Sequence, residues 1–388
     1  MLIGGRFPAK YALEPLRARM VDWLVTAAYP LWSRNGVDSR NGGFIETLDQ
    51  NGSAVSQPRR ARVQPRQVYA FAQAPAFGWQ GDAAGIVTRG MHFFMTHYRR
   101  SDGLFRTLVD DEGGALDERA LLYDQAFALL GYAAAARALD ARAEFEVLAL
   151  ELRQAIGDRL GADEGSYRSD ERSMDRRESN PHMHLLEAYL AWAEIGHHAG
   201  WANDVRSTVE LALSRFIRKD SGALGESYLA TWEPTPGIAG RLIEPGHQFE
   251  WAWLLLRCER WHSGALRATA LRLISIGEQF GVRDGVAINA LRADFSVEDS
   301  AARCWPQCER LKAAVLAATR TGEPQYRSMA VSAATALLTY LNTPTPGLWR
   351  DVRLPNGDFI DSPAPASTFY HLVGAIEALN LAAPGDRR

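Results

Sequence analysis

Twelve stretches of this chain carry apolar residues at helical spacing, and the links between them alternate between long and short. The spacing predicts helices at 11–34, 62–77, 82–99, 122–138, 141–160, 178–196, 201–218, 246–261, 263–282, 300–319, 323–342 and 366–382. Long loops at 35–61, 100–121, 161–177, 219–245, 283–299 and 343–365 follow every odd-numbered helix. They hold turn-forming pairs such as Asn51-Gly52, Asp102-Gly103 and Asn356-Gly357. The remaining links are a few residues long, and short links force antiparallel neighbours. Even-numbered helices start near 62, 122, 178, 246, 300 and 366, so a helical hairpin recurs six times.

Repeated hairpins either stack into an open solenoid or close into a ring. An open stack needs polar ends. Here the first copy (Trp23, Leu24, Trp32) and the last (Phe369, Tyr370, Leu372, Ile376, Leu379) are as apolar as the middle. The expected fold is therefore all-α: an (α/α)6 barrel of six helical hairpins in one domain spanning 1–388. Short β-hairpins, for example within Gly43-Phe44-Ile45-Glu46-Thr47-Leu48, are expected in the long loops at one mouth. Closure also predicts where function sits. The six even helices begin at that mouth, and helix N-termini offer free N–H groups to ligands.

Charge and cysteine content narrow the partners. Acids and bases nearly balance at a net charge of -3, which argues against a nucleic-acid partner. No run of 18 apolar residues occurs, so no membrane span is expected. Cys258, Cys304 and Cys308 are odd in number and form no Cys-x-x-Cys pair, which suits a reducing cytoplasm. The N-terminal stretch lacks the apolar core of a signal peptide, again pointing to the cytoplasm.

The helix starts carry polar and aromatic clusters. Arg66 lies in the first, Tyr123 and Asp124 in the second, and Asn180, His184 and Glu187 in the third. His247, Glu250 and Trp251 open the fourth, Trp305 and Lys312 the fifth, and Phe369 and His371 the sixth. Asn180-Pro181 is a sound helix start. A lone His184 would more often be a satisfied core residue, and any one ring could be plain packing. His184, His247 and His371 at matched positions around a ring are harder to read as accident. His182 should point away from them. Three histidines fit a catalytic zinc in number, but the His-x-x-x-His pairing is missing and no metal or other cofactor is expected. Arg66, Arg303 and Lys312 can donate to hydroxyls; Asp124, Glu187 and Glu250 can accept; Trp251 and Trp305 offer flat faces to a sugar.

Read together, Asn180-Pro181-x-Met183-His184-Leu185-Leu186-Glu187, Glu244-Pro245-Gly246-His247-x-Phe249-Glu250-Trp251, Arg303-x-Trp305-Pro306-Gln307-x-Glu309-x-Leu311-Lys312 and Phe369-Tyr370-His371 resemble the N-acylglucosamine 2-epimerase superfamily. The resemblance covers nearly the whole chain. It implies a metal-independent sugar isomerase or epimerase on an (α/α)6 barrel. It also implies that His247 and His371 are the acid/base pair, with His184, Arg66, Glu250, Trp305 and Lys312 around the substrate. The wording is nearest the aldose–ketose isomerase branch, which includes mannose isomerase and sulfoquinovose isomerase. The cellobiose-epimerising branch usually has paired tryptophans where Cys304-Trp305 stands.

The expected reaction is D-mannose to D-fructose through a cis-enediolate. Histidine suits it because its unperturbed pKa, about 6.5, lies near neutrality. Arg66 and His184 are the candidates to face the enediolate oxygens. A 2-epimerase or a sulfoquinovose isomerase is the alternative. A sulfonate would need extra arginines, for which Arg62, Arg176 and Arg241 are available, although solvated charge is the plainer reading of all three. A glycoside hydrolase would use two carboxylates such as Asp124 with Glu250 or Glu187. A non-catalytic scaffold would show apolar grooves instead of a polar funnel. A homodimer is a possible assembly.

Overall fold

The computed structural model describes residues 9–173, 175–262 and 266–382. The absence of a leader, read partly on residues 1–8, the first turn of the helix expected from 263, and the chain beyond 382 lie outside the described residues.

Two concentric rings of helices form the barrel. The inner ring is Val63–Gln73, Leu122–Ala138, Ser179–Ile195, Pro245–Cys258, Cys304–Thr321 and Ala366–Leu381. Each packs on the next, and the last packs on the first. The outer ring begins with Ala9–Trp23, which runs through a π-helical turn, Leu24–Ala28, into Tyr29–Asn35. It continues with Ala83–Tyr98, Arg142–Leu160, Gly200–Leu211, Leu266–Gly281 and Pro324–Tyr340. The first outer helix lies against the last outer and last inner helices, which closes the ring. The expected architecture is therefore present. Among the described residues no helix is long and apolar enough to cross a membrane.

Inner helices are walled in on nearly every side, so they lose the one-sided apolar stripe of a surface helix. In Leu122–Ala138 every residue from Asp124 to Ala136 is buried. Small side chains make this possible. Gly131 faces Pro65 of the neighbouring inner helix so closely that a Cβ would collide with the ring.

The expected hairpins in the long loops are present, and pairing between loops is added to them. Leu108–Val109 and Ala115–Asp117 form one such hairpin. Among the described residues, five of the eight strand pairs join one long loop to the next. Thr47–Leu48 pairs with Ala364–Pro365, Arg59–Arg60 with Leu108–Val109, and Arg176–Glu178 with Ser227–Leu229. Leu242–Ile243 pairs with Ala290–Arg292, and Ala302–Arg303 with Val352–Arg353. A single bridge, Leu121 to Asp170, joins the second and third loops. A two-residue strand cannot stand alone, so its open edge takes the nearest other edge, and here that belongs to the adjoining loop. The fifth inner helix also starts later than expected: residues 302 and 303 are strand, and helix begins at Cys304.

One device fixes these loops onto the inner helices. Gln64 accepts from the Phe44 N–H at 2.8 Å and donates to its carbonyl at 2.9 Å. Gln125 holds Phe105 in the same way, Gln248 holds Leu224, and Gln307 holds Ala287. In the third repeat His182 substitutes, its Nε2 accepting from the Tyr167 N–H at 3.0 Å. In the sixth, Phe369 stacks on Trp349 with ring centroids 5.7 Å apart. These groups would otherwise be buried polar atoms without partners, a costly condition.

Candidate active site

The clamps set a register. Two residues beyond each clamp come Arg66, Phe127, His184, Glu250, Glu309 and His371. These six form a connected layer at the centre of the barrel. The Arg66 guanidinium lies 4.0 Å from the centroid of Phe127, and Phe127 lies 4.4 Å from the ring of His184. His184 Nδ1 is 3.9 Å from Glu250, and polar atoms of Glu250, Glu309 and His371 all lie within 4.8 Å of one another.

Above this layer is a cavity of about 600 Å³ at the end where the inner helices begin. That size is typical of a small-molecule site. Arg66, Asn180, His184, His247, Glu250, Trp305 and His371 line it. Asp124, Glu187, Trp251 and Lys312 are not among its lining residues, which corrects the reading of all four as substrate contacts. Asp124 is fully buried and holds Arg62 at 3.1 Å. Trp251 is fully buried on the outward side, near Phe216. Lys312 sits below the layer, 2.8 Å from Glu309 and 3.7 Å from the centroid of Trp253. Glu187 lies below His184 and also accepts from Tyr370.

Two histidine–glutamate pairs dominate the cavity. His247 Nδ1–H donates to Glu226 at 2.9 Å, and His371 Nδ1–H donates to Glu309 at 2.7 Å. Each carboxylate fixes the tautomer and leaves Nε2 as the working nitrogen. Trp305 lies near both rings, with centroids 5.2 Å from His247 and 5.6 Å from His371. The matched register holds for His184 and His371 only; His247 is one position before its clamp, a turn nearer the mouth.

The two pairs have opposite charge states. Burial alone would lower the pKa of His247, but Glu226 and Glu244 outweigh it and push it up to about 10. Burial lowers His371 well below the usual histidine value, with Arg66 and Lys312 adding to the effect. Glu187 pulls the other way but does not outweigh burial, and Glu309, which accepts the Nδ1–H, is also bonded to Lys312 at 2.8 Å. Burial likewise lowers His184 to about 4, against its 3.3 Å bond to Glu187. His184 is thus neutral, with its Nδ1 proton committed to Glu187. Its Nε2 is an acceptor, which corrects the expectation that His184 donates to an enediolate. Burial beside Glu309 and Glu187 raises Glu250 well above the carboxylate range, making it a neutral acid with a hydrogen to donate.

Three groupings bring histidine and carboxylate atoms within metal-site spacing: His184–Glu187–Glu250, Glu226–Glu244–His247 and Glu250–Glu309–His371. In each, the histidine Nδ1 already lies 2.7 to 3.3 Å from a carboxylate, and Lys312 supplies a cation beneath. The donors are committed to one another, a poor fit to a resident ion.

Sequence reasoning missed Glu226 and passed over Glu309. Glu309 was legible, since it stands two residues beyond Gln307, as Glu250 does beyond Gln248. Glu226 sits in a long loop with no periodic signal, and only the pairing of Ser227–Leu229 with Arg176–Glu178 brings it to His247. Arg62 and Arg176 line the cavity, whereas Arg241 is not among its lining residues.

Residues 43–375 match the family model for N-acylglucosamine 2-epimerase (GlcNAc 2-epimerase). The chain belongs to that family. Its enzyme class follows: this N-acylglucosamine 2-epimerase family member is a sugar isomerase or epimerase. A relative from Rhizobium meliloti (strain 1021), described as mannose-6-phosphate isomerase, is 43% identical across 93% of this chain and 95% of its own. The fold matches a crystal structure of D-mannose isomerase with a TM-score of 0.85 at 20% identity, covering 95% of this chain and 98% of that one. It also matches cellobiose 2-epimerase from Bacillus thermoamylovorans B4167, with a TM-score of 0.83 at 17% identity, covering 94% and 99%.

One glycine in the family wording Glu244-Pro245-Gly246-His247 has a visible purpose. A Cβ on Gly246 would run into the far edge of the Trp305 ring. Gly246→Ala should therefore displace Trp305 from its place beside both histidines. The expected result is a fall of about 10- to 100-fold in kcat/KM with little change in unfolding midpoint, since misplacement near 1 Å can cost that much. Unchanged turnover would show that the position of Trp305 is immaterial.

Proposed function

We propose that the chain is an aldose–ketose isomerase for mannose-configured hexoses, with D-mannose to D-fructose as the parent reaction. The observation that carries this is the pair of glutamate-backed histidines in opposite charge states across one cavity. Groups whose surroundings push their pKa values apart mark an acid and a base. His247, charged, protonates the ring oxygen as the C1–O5 bond breaks, and takes up in return the proton that the C1 hydroxyl gives up as the aldehyde forms. His371, neutral, takes the proton from C2, and the electron pair becomes the C1–C2 double bond. Arg66 meets the charge that develops on the oxygens, and Glu250 donates to a sugar oxygen. The hydroxyl on C2 then passes its proton to the oxygen on C1 as the carbonyl forms at C2, and His371 returns its proton to C1.

The Rhizobium meliloti relative supports the isomerase outcome and the mannose configuration, in its case with a phosphate at C6. The second reading is a 2-epimerase, in which His247 would return a proton to the opposite face of C2. The cellobiose 2-epimerase match in fold keeps that reading in view. Incubation with mannose in D2O separates them: NMR should show deuterium at C1 of a ketose. Deuterium appearing only at C2 of an epimer would overturn the isomerase assignment.

The charge of His247 predicts a pH effect. It must be protonated to act as the acid, so activity falls as pH rises through about 10. Replacing Glu226 by Gln removes the main carboxylate that raises it. The alkaline limb of kcat/KM should then move down by about 1–3 pH units. A limb that stays in place would separate Glu226 from the acid.

A further inference from the structure

A second cavity, of about 380 Å³, lies below the central layer, toward the end where the inner helices finish. All six inner helices line it, and its size falls within the range of small-molecule sites. Three residues beyond the central layer come Tyr69, Leu130, Glu187, Trp253, Lys312 and Gly374. All of these except Lys312 line the lower cavity. Gly374 leaves it room, since the nearest atom to a Cβ there is the Tyr69 hydroxyl at 3.8 Å.

The charged side chains facing this cavity are Arg137, Glu187, Glu194, Arg257 and Glu377. Glu187 is spent on His184 and Tyr370. Glu194 accepts from Arg257 at 2.7 Å and from Arg137 at 3.2 Å. Two guanidinium groups thus share one carboxylate, and a positive charge is left over. Among the described residues, neither arginine makes another hydrogen bond. Glu377 accepts from the Tyr69 hydroxyl at 2.8 Å and, among the described residues, is in no ion pair, so a negative charge is left over. Glu194 and Arg257 belong to the third and fourth inner helices, Glu377 and Tyr69 to the sixth and first. Those helices stand opposite in the closed ring. Arg257 and Glu377 also lie at similar depth, seven and six residues beyond the central layer. The two surplus charges therefore face each other across a cavity whose walls also carry Leu130, Val315 and Leu316.

We propose that the lower cavity binds a small zwitterion, an amino acid with an aliphatic side chain, its carboxylate on Arg257 and Arg137 and its ammonium on Glu377. Charges drawn partly out of water are costly to leave unpaired, and a dipolar ligand completes both at once. A guanidinium fork takes a carboxylate through paired N–H donors. Glu377 keeps one oxygen for the ammonium, because Tyr69 occupies only Oε2. The apolar walls take the aliphatic chain. The site stands apart from the isomerase reading and does not depend on it.

Isothermal titration calorimetry of the intact protein with valine and with leucine should show saturable binding, with Kd at or below about 1 mM. Leucine without its ammonium is 4-methylpentanoate, and without its carboxylate 3-methylbutylamine. Each should bind about 10- to 100-fold more weakly than leucine. Glu377→Gln keeps an acceptor for Tyr69 and deletes the charge; Arg137→Gln deletes the more exposed of the two guanidinium groups. Either variant should weaken leucine binding by about tenfold or more, and Glu377→Gln should leave 4-methylpentanoate binding as it was. Neither residue lines the reaction cavity, so these losses place the ligand in the lower one. Absence of binding by both amino acids would overturn the assignment. So would leucine binding that neither folded variant alters, or equal binding of leucine and 4-methylpentanoate.

Discussion

His371→Asn is expected to lower kcat/KM for aldose–ketose interconversion by about 10²–10⁴-fold, the range a positioned base contributes. Asparagine can still present an N–H to Glu309, which holds Nδ1 of His371 at 2.7 Å. What it removes is Nε2, the atom assigned to the C2 proton. The fold should survive, since the neighbours Tyr370 and Leu372 that pack this helix are untouched. Exchange of the C2 proton into D2O should fall by the same factor as turnover, because both need the same deprotonation. His247→Asn should behave differently. It weakens ring opening, so a substrate analogue locked in the open-chain form should recover part of the rate with this variant and none with His371→Asn. A folded His371→Asn protein within threefold of the parent would remove the base from the proposal.

How much of this was written in the sequence depends on the range of the interaction. Helical periodicity is local, so the six hairpins were legible, and apolar first and last copies made closure the better reading. His184, Glu250, His371 and Arg66 were legible too, because each lies within the first two turns of an inner helix. The hairpins within the loops were legible, but the pairing of one loop with the next was not, because those partners lie far apart in the chain. Phe44 and Leu48 do bridge within their own loop, to Val37 and Ala54, and Thr47 and Leu48 pair in addition with Pro365 and Ala364 of the last loop. Asp124 and Lys312 look like sugar contacts by residue type alone. Which side of a fully buried helix a polar residue faces is decided by ring packing, and Arg62 and Glu309 take those two out of the cavity. Glu226 was invisible for the converse reason: nothing near it in the chain marks it as the partner of His247.

Lys312→Met tests the deeper claim that the cluster under the cavity is balanced by one internal cation. Lys312 is one of only three lysines in the chain and is almost completely buried. Burial raises the Glu309 carboxyl and Lys312 pulls it back only in part; with the bond from His184, the lysine also helps hold Glu187 down at about 2. Methionine keeps the bulk against Trp253 and deletes the charge. Breaking one partner out of a buried pair costs about 3–5 kcal/mol, measurable by urea unfolding. The sign of its pH dependence follows from Glu309. Without the lysine, this carboxyl has to stay protonated in the folded chain but ionises in the unfolded one, a cost that grows above the ordinary carboxylate pKa. The stability of Lys312 itself is fully present below its unfolded value and does not vary in this range. The loss should therefore be larger at pH 8 than at pH 5. Adding Glu309→Gln removes the stranded group, and the double variant should regain much of the stability while its activity stays low, because His371 has lost its carboxylate. A double variant no more stable than Lys312→Met alone would mean that Lys312 acts through packing and not through charge.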